Sequence, residues 1–344
     1  MKKILLAGLI LTAGAVGAQS NATITASGAS FPFPLYTEMF NTYAQQTGVR
    51  VNYASKGSGG GQTDILARNV DFAGSDAFLT DERLKSAPGA LLHIPMALGA
   101  VVPTYNVPGV TAKLRFTGQV LADIYLGDIK KWNDPAIQNL NKNVKLPDLA
   151  IAPVYRSDGS GTTAIFVDFL SKASSEWAEK VSKGPQNSVK WPVGTGGPQN
   201  AGVVGLVRQT PGGIGYTEVT YAKANNLLYG LVRNSQGAFV DGGDLRQIAL
   251  ASDAQSMPDD TRISITNASI GYPISGFTWV LVYRDQKYNN RTKAQGKAVV
   301  DLFRWMLGDG QKINEKLNYG QIDGSALVKA RRLVESINWG GEKL

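Results

Sequence analysis

The sequence predicts an α/β fold, because short runs rich in β-branched residues alternate with amphipathic helical runs. Residues 49–53 alternate like a strand, directly after a helical pattern that Gly48 would cap. The apolar face of that helix consists of Leu35, Met39, Phe40 and Tyr43. The first part of the chain therefore predicts a helix followed by a strand.

The same alternation continues through the chain without a repeat or a low-complexity linker. Residues 62–68 predict a short helix, residues 70–73 a buried strand, and residues 94–105 an apolar strand region with bends at Gly99 and Pro103. Later elements are a strand at 277–283 and a helical stripe of Val299, Leu302, Phe303, Met306 and Leu307. A chain of this size could form two lobes, with the chain crossing from one to the other near residues 102–106 and again near residues 272–278.

The N-terminus predicts a signal peptide over residues 1–18. Lys2 and Lys3 precede an apolar run at 4–16, and small residues at 16–18 suit cleavage before Gln19. The alternative is an N-terminal membrane anchor, which the small residues at 13–18 disfavour because they interrupt the apolar run. No cysteine follows that could carry a lipid, so we expect a free protein in a periplasm-like space.

Composition excludes several classes of chemistry. The chain has no cysteine, one histidine and no GxxxxGK[ST] loop, so disulfides, Cys/His zinc sites and a P-loop ATPase are excluded. A Ser-His-Asp site could use only His93. This histidine lies in an apolar run, which predicts that its role is structural. We expect neither a catalytic residue nor a metal or cofactor. The net charge is +8, and the lysines and arginines are scattered rather than clustered. This distribution favours anion capture over nucleic-acid binding.

Four small, hydroxyl-rich or glycine-rich turns each precede a helical pattern, at residues 27–32, 57–61, 73–76 and 156–162. Helix N-termini carry unpaired backbone N–H groups and a partial positive charge, so several that converge would bind a tetrahedral oxyanion. Each turn alone could be an ordinary helix cap. The fourth turn is the most informative, because Arg156 adds a forked, permanently charged donor.

These turns resemble those of the periplasmic phosphate-binding proteins that serve the high-affinity phosphate ABC transporter, and the resemblance covers essentially the whole mature chain. The similar stretches are GASFP (28–32), VNY (51–53), VDFAGSDA (70–77), IYLGDIKKW (124–132), RSDGSGT (156–162), WPVG (191–194) and GIGY (213–216). Matches that are long and dispersed in this way are specific.

The resemblance implies a set of phosphate-binding residues: Ser30, Phe31, Ser58, Asp76, Arg156, Ser160, Gly161 and Thr162. Ser30 replaces the family's threonine and keeps the hydroxyl, whereas the family's second serine in the next turn is Gly59 here. Asp158 would orient Arg156. At neutral pH Asp76 would have only acceptor oxygens and would favour phosphate, which keeps a proton, over sulfate. Asp76 and Asp158 could alternatively serve as a helix cap and a turn residue.

The resemblance also implies a type II two-lobed fold of the periplasmic-binding-protein kind. Each lobe would have a central β-sheet flanked by helices, joined by a hinge of two crossings. We assign residues 19–102 plus 272–344 to the first lobe and 103–271 to the second. Binding would close the lobes in the hinge manner, and the permease and ATPase complex of an ABC importer would receive phosphate. We expect a monomer that does not itself span the membrane.

Two other classes of function are alternatives at this point: an exported phosphatase, and an adhesive or scavenging surface protein that uses the fold without a transporter. Among oxyanion binders, a sulfate or molybdate protein is the nearest competitor. Asp76 argues against both of these anions.

Overall fold

The computed structural model describes residues 23–344, so the predicted signal peptide lies outside the described residues. Within 23–344, fourteen strands are formed. They are β1 (Thr23–Gly28), β2 (Arg50–Ser55), β3 (Phe72–Ser75), β4 (Leu91–Asn106), β5 (Arg115–Phe116), β6 (Ala152–Arg156), β7 (Thr195–Gly197), β8 (Gly213–Glu218), β9 (Leu228–Tyr229), β10 (Leu231–Arg233), β11 (Phe239–Val240), β12 (Ser275–Tyr283), β13 (Asn338–Trp339) and β14 (Glu342–Lys343).

The described residues also form twelve α-helices and two short 3-10 helices. The α-helices are α1 (Phe33–Thr47), α2 (Gly57–Leu66), α3 (Asp81–Lys85), α4 (Gly118–Leu126), α5 (Pro135–Gln138), α6 (Gly161–Ala173), α7 (Ser175–Lys180), α8 (Gln199–Gln209), α9 (Val219–Ala224), α10 (Leu245–Asp253), α11 (Lys293–Met306) and α12 (Gly324–Glu335). The 3-10 helices are Asp309–Ile313 and Glu315–Leu317. No helix within this part of the chain is long and apolar enough to cross a membrane.

The main sheet has the strand order β2-β1-β3-β12-β4-β8-β6-β7, with β9 also paired to β4. Strands β1, β2 and β3 are parallel to one another, and so are β6, β7 and β8. Because helices follow these parallel strands, each group carries strand-to-helix turns at its carboxyl ends. Such edges are where open α/β sheets bind ligands.

Strand β4 links the two halves of this sheet. Its residues 91–100 pair with β12, and its residues 101–106 pair with β8 and partly with β9. The chain returns close to the same point, where Val101 N–H donates to the Ile274 carbonyl just before β12 begins. We call β1–β3, β12 and the first part of β4 the first lobe, and the second part of β4 with β6–β9 the second lobe. The assigned residue bounds of the lobes stay a prediction.

The apolar faces predicted from periodicity are buried. All four residues of the predicted face of α1 lie in the core, and Gly48 caps the helix with φ 77°. The stripe from Val299 to Leu307 is also buried, and α11 begins with a capping box between Thr292 and Gln295. The predicted strand at 277–283 corresponds to β12.

Two local predictions were wrong. Helix α2 begins at Gly57 rather than at residue 62, so the glycine-rich run is the first turn of the helix and not a loop before it. A Cβ at Gly61 would lie 2.5 Å from the Gly28 Cα, which shows how closely this helix packs on β1. The turn at 73–76 does not precede a helix directly, because α3 begins at Asp81 with Thr80 as its cap. Asp76 therefore caps no helix.

Candidate anion-binding site

All eight residues of the predicted site lie at the carboxyl ends of strands from both lobes. Ser30 and Phe31 follow β1, Ser58 lies in the first turn of α2 after β2, and Asp76 follows β3. From the second lobe, Arg156 ends β6, while Ser160, Gly161 and Thr162 form the cap and first turn of α6. Every one of these residues is buried.

The two lobes touch at the centre of this set. A Cβ at Gly161 would lie 2.5 Å from Ser58 Oγ and 2.6 Å from Asp76 Cβ, so α6 of the second lobe lies directly against the first lobe. A backbone hydrogen bond of 2.8 Å from Gly59 N–H to the Gly159 carbonyl also joins the lobes. The site is therefore enclosed between the two lobes.

Arg156 is held by Asp158 through two hydrogen bonds. Its Nε donates to Asp158 Oδ1 at 2.8 Å and its Nη2 to Oδ2 at 2.5 Å, while its Nη1 donates to Thr162 Oγ1 at 3.2 Å. Burial opposes ionisation of Asp158, but hydrogen bonds from Arg156 outweigh it and lower the pKa of the carboxyl. Asp158 Oδ1 also accepts from Gln199 N–H at 2.9 Å. These hydrogen bonds hold the guanidinium in one orientation.

The N-terminus of α6 supplies backbone donors. Ser160 Oγ accepts from Thr163 N–H at 3.0 Å and caps the helix. The N–H groups of Gly161 and Thr162 precede the first position that an intrahelical bond can reach, so α6 itself offers them no acceptor. Together with the dipole of α6, they favour a negative charge at this end of the helix.

Asp76 is the one carboxylate in the predicted set. Its Oδ1 accepts from Thr278 Oγ1 at 2.8 Å, and its backbone N–H donates to Ser58 Oγ at 3.1 Å. Burial raises the pKa of Asp76 to about 7, although Thr278, Arg156 and Ser58 act in the opposite direction. Asp76 is therefore not fully ionised at neutral pH, in contrast to the assumption made from its residue type. Above about pH 8 it presents only acceptor oxygens.

Sequence reasoning missed Asn200, which is fully buried beside the predicted residues. Its Nδ2 donates to Ser30 Oγ at 3.0 Å and to Thr162 Oγ1 at 3.2 Å. Asn200 lies in the first turn of α8, just after the glycine-rich strand β7. This is the same strand-to-helix pattern as in the other turns, so a signal was present, but the turn lacks serine and arginine. Thr278, on β12, was also missed.

His93 lies on β4, where it is buried and accepts a hydrogen bond from Leu79 N–H at 3.0 Å through Nε2. Burial lowers its pKa to about 3. The ring is therefore neutral and serves packing in the first lobe, as predicted.

The fold and the enclosed site between its lobes define a two-lobed solute-binding protein, and the family model described as the PBP superfamily domain matches residues 13–308. The type II fold expected from the resemblance is confirmed. The chain belongs to the PstS family of phosphate-binding proteins. It is 41% identical over 332 residues to the phosphate-binding protein PstS of Pasteurella multocida, which covers 95% of this chain and 94% of the relative.

Two solved structures have a similar fold. The phosphate-binding protein from Stenotrophomonas maltophilia has a TM-score of 0.72 at 18% identity, over 90% of this chain and 93% of that one. An ABC-type phosphate transport receptor from Vibrio cholerae has a TM-score of 0.56 at 18% identity, over 87% and 99%. At such identities the likeness concerns the fold.

Proposed function

We propose that this protein captures inorganic phosphate between its two lobes, outside the cytoplasmic membrane, and delivers it to an ABC-type importer. One observation carries the proposal. Arg156 and the N-terminus of α6, from the second lobe, are buried together with Asp76 of the first lobe. Membership of the PstS family supports the same ligand.

The chemistry of the site fits a partly protonated oxyanion. Arg156, the hydroxyls of Ser30, Ser58, Ser160 and Thr162, and the N–H groups of Phe31, Gly161 and Thr162 are donors. Asp76 adds an acceptor: its Oδ1 accepts from Thr278 Oγ1 at 2.8 Å, and its Oδ2, which lies close to Gly161, accepts from Ser58 Oγ at 3.4 Å. Phosphate at neutral pH retains one or two protons and can donate to Asp76, whereas sulfate retains none.

Delivery of phosphate would depend on closure of the two lobes. Donors come from both lobes, so phosphate gains contacts from each only when the lobes close, and it shifts the population toward the closed form. The permease and ATPase complex would recognise that closed form. We further propose a monomer that is free in the periplasm after cleavage of the signal peptide and binds no nucleic acid.

We also propose that the protein is not an enzyme. Among residues 23–344, the one histidine is neutral, and its Nε2 accepts a hydrogen bond from the Leu79 backbone N–H. Nucleophilic hydrolysis of a phosphate ester needs a base beside the nucleophile. Ser160 instead caps α6, and Ser58, which donates to Asp76 Oδ2 at 3.4 Å, also accepts from the Asp76 backbone N–H. A chromogenic phosphate ester assay tests this proposal: sustained turnover by pure protein contradicts it.

The capture of phosphate is tested on protein freed of bound anion by unfolding, dialysis and refolding. Isothermal titration calorimetry with phosphate should show one site per chain. Sulfate should give little heat at about pH 8, where Asp76 is ionised. The absence of phosphate binding by refolded protein with a native circular dichroism spectrum would contradict the proposed function.

A further inference from the structure

The side chain of Asn200 has a fixed orientation that the surrounding donors determine. Its Oδ1 accepts from the backbone N–H of Glu218 and from Thr217 Oγ1, each at 3.0 Å. A backbone N–H can only donate, so the amide oxygen must lie on this side and the NH₂ group on the other. Both hydrogens of the NH₂ group are then directed toward the two hydroxyls of the site.

Those two hydroxyls belong to opposite lobes. Ser30 Oγ accepts from Asn200 N–H at 3.3 Å and from Asn200 Nδ2 at 3.0 Å. Thr162 Oγ1 accepts from Arg156 Nη1 at 3.2 Å and from Asn200 Nδ2 at 3.2 Å. A hydroxyl has two lone pairs and one hydrogen, so each of these hydroxyls has used both lone pairs.

Each hydroxyl can then only donate. Among residues 23–344, neither Ser30 Oγ nor Thr162 Oγ1 donates to a protein acceptor, so both hydrogens remain for another acceptor. We propose that Asn200 is a positioning residue that fixes Ser30 and Thr162 as donors toward the oxyanion and joins the two lobes through them. This inference rests on the proposed capture of phosphate.

The role predicts how phosphate affinity responds to Asn200→Ala. Without the amide, both hydroxyls can turn toward protein acceptors or each other, and the anion loses two oriented donors. Phosphate binding should weaken roughly tenfold or more, because each hydrogen bond to a charged group contributes substantially. Asn200→Asp replaces the NH₂ group with an acceptor that takes both hydroxyl hydrogens, and should weaken binding further while keeping the shape of the side chain.

A double-mutant cycle separates positioning from general support of the fold. In a Ser30→Ala/Thr162→Val background, Asn200→Ala should change the dissociation constant by less than about twofold, because the hydroxyls on which it acts are gone. The same fold loss in both backgrounds would overturn the proposal, as would wild-type affinity in Asn200→Asp. The wild-type protein is titrated in parallel, and its failure to bind phosphate would refute the proposed function itself.

Asn141 offers a matched control. It is a buried asparagine whose Nδ2 donates to the Arg115 and Ile137 carbonyls and whose Oδ1 accepts from Arg115 N–H, without contact to the site. Asn141→Ala should lower the unfolding temperature but leave phosphate affinity within about twofold. If Asn141→Ala weakened phosphate binding as much as Asn200→Ala, loss of stability would explain both effects and the proposal would be wrong.

Discussion

Gly161 has no room for a side chain because Asp76 of the other lobe lies against it: a Cβ at residue 161 would be 2.7 Å from Asp76 Oδ2. Gly161→Ala should therefore hold the lobes apart. We expect phosphate affinity to fall at least about tenfold, since donors of both lobes can no longer reach one anion. The free energy of unfolding should change little, because opening the hinge relieves the contact. Calorimetry and small-angle scattering measure the two effects.

Gly205 is a suitable control for this substitution. It lies in α8, and a Cβ there would meet nothing within 4 Å. Gly205→Ala should retain phosphate affinity and the decrease in radius of gyration that phosphate causes in the wild-type protein. An equally large decrease in Gly161→Ala would show that this close approach does not limit closure.

Removal of the charged fork at residue 156 should weaken phosphate binding without unfolding the protein. A charge-assisted hydrogen bond contributes about 1.5–3 kcal/mol, so Arg156→Ala should raise the dissociation constant by roughly one to two orders of magnitude. Asp158 remains partly exposed and keeps its bond from Gln199 N–H, which limits the cost of leaving it without Arg156. Arg156→Lys keeps the charge but not the fork, so an intermediate affinity is expected.

The control for these variants is Arg304→Ala. Arg304 forms an ion pair with Glu335 at the surface of the first lobe, away from the site. Its loss should not alter phosphate affinity. An unchanged dissociation constant for phosphate in Arg156→Ala would show that Arg156 does not bind the ligand.

The pKa of Asp76 predicts a pH dependence of stability in protein freed of phosphate. Burial raises this pKa to about 7, so between about pH 4 and 7 the folded chain holds a proton that the unfolded chain has released. The free energy of unfolding should therefore fall as pH rises through this window and level off above it. Asp76→Asn removes this contribution, which amounts to at most about 4 kcal/mol for a shift of roughly three units.

Urea unfolding at several pH values measures the difference between the two proteins. Glu218, whose pKa burial raises to about 8, adds a decline of the same sign, but it is present in both. Relative to Asp76→Asn, the wild-type protein should lose stability between pH 4 and 8. A difference that does not vary with pH would mean that Asp76 is solvated in the folded protein.

The sequence predicted the elements of the site better than the contacts between them. Arg156 and Asp158, which are joined by hydrogen bonds, lie two residues apart in the chain, and the motif that contains both is recognisable without a structure. The hydrogen bond from Thr278 to Asp76 spans 202 residues, and that from Asn200 to Ser30 spans 170. Such pairs depend on how the lobes pack, which no local pattern reports.

Burial explains the remaining differences. The residue type of Asp76 suggested an ionised carboxylate, but burial of the side chain, which has Gly161 of the other lobe against it, raises its pKa to about 7. Similarly, glycines at 57–61 are poor helix formers in isolation, so the sequence predicted a loop. In the folded protein they form the first turns of α2, and at Gly61 the absence of a side chain lets α2 lie close to β1.

Selectivity against sulfate should depend on pH, because the acceptor that repels sulfate is Asp76. Near pH 8 the carboxylate is ionised, since its pKa is about 7, and a fully deprotonated anion would bring two acceptors together in a buried site. Near pH 5.5 the protonated carboxyl can donate to sulfate instead. Sulfate in hundredfold excess should therefore displace little labelled phosphate at pH 8 and clearly more at pH 5.5, while arsenate, which keeps a proton, competes at both.

Asp76→Asn provides the decisive comparison for selectivity. The amide of asparagine can donate a hydrogen bond at either pH, so sulfate should compete against phosphate in this variant at pH 8 as well as at pH 5.5. The affinity for phosphate itself should decrease, because the proton of phosphate loses an ionised acceptor. The assay is equilibrium competition on protein freed of bound anion, with both proteins at both pH values. Equal exclusion of sulfate by wild type and Asp76→Asn at pH 8 would show that the discrimination arises elsewhere in the site.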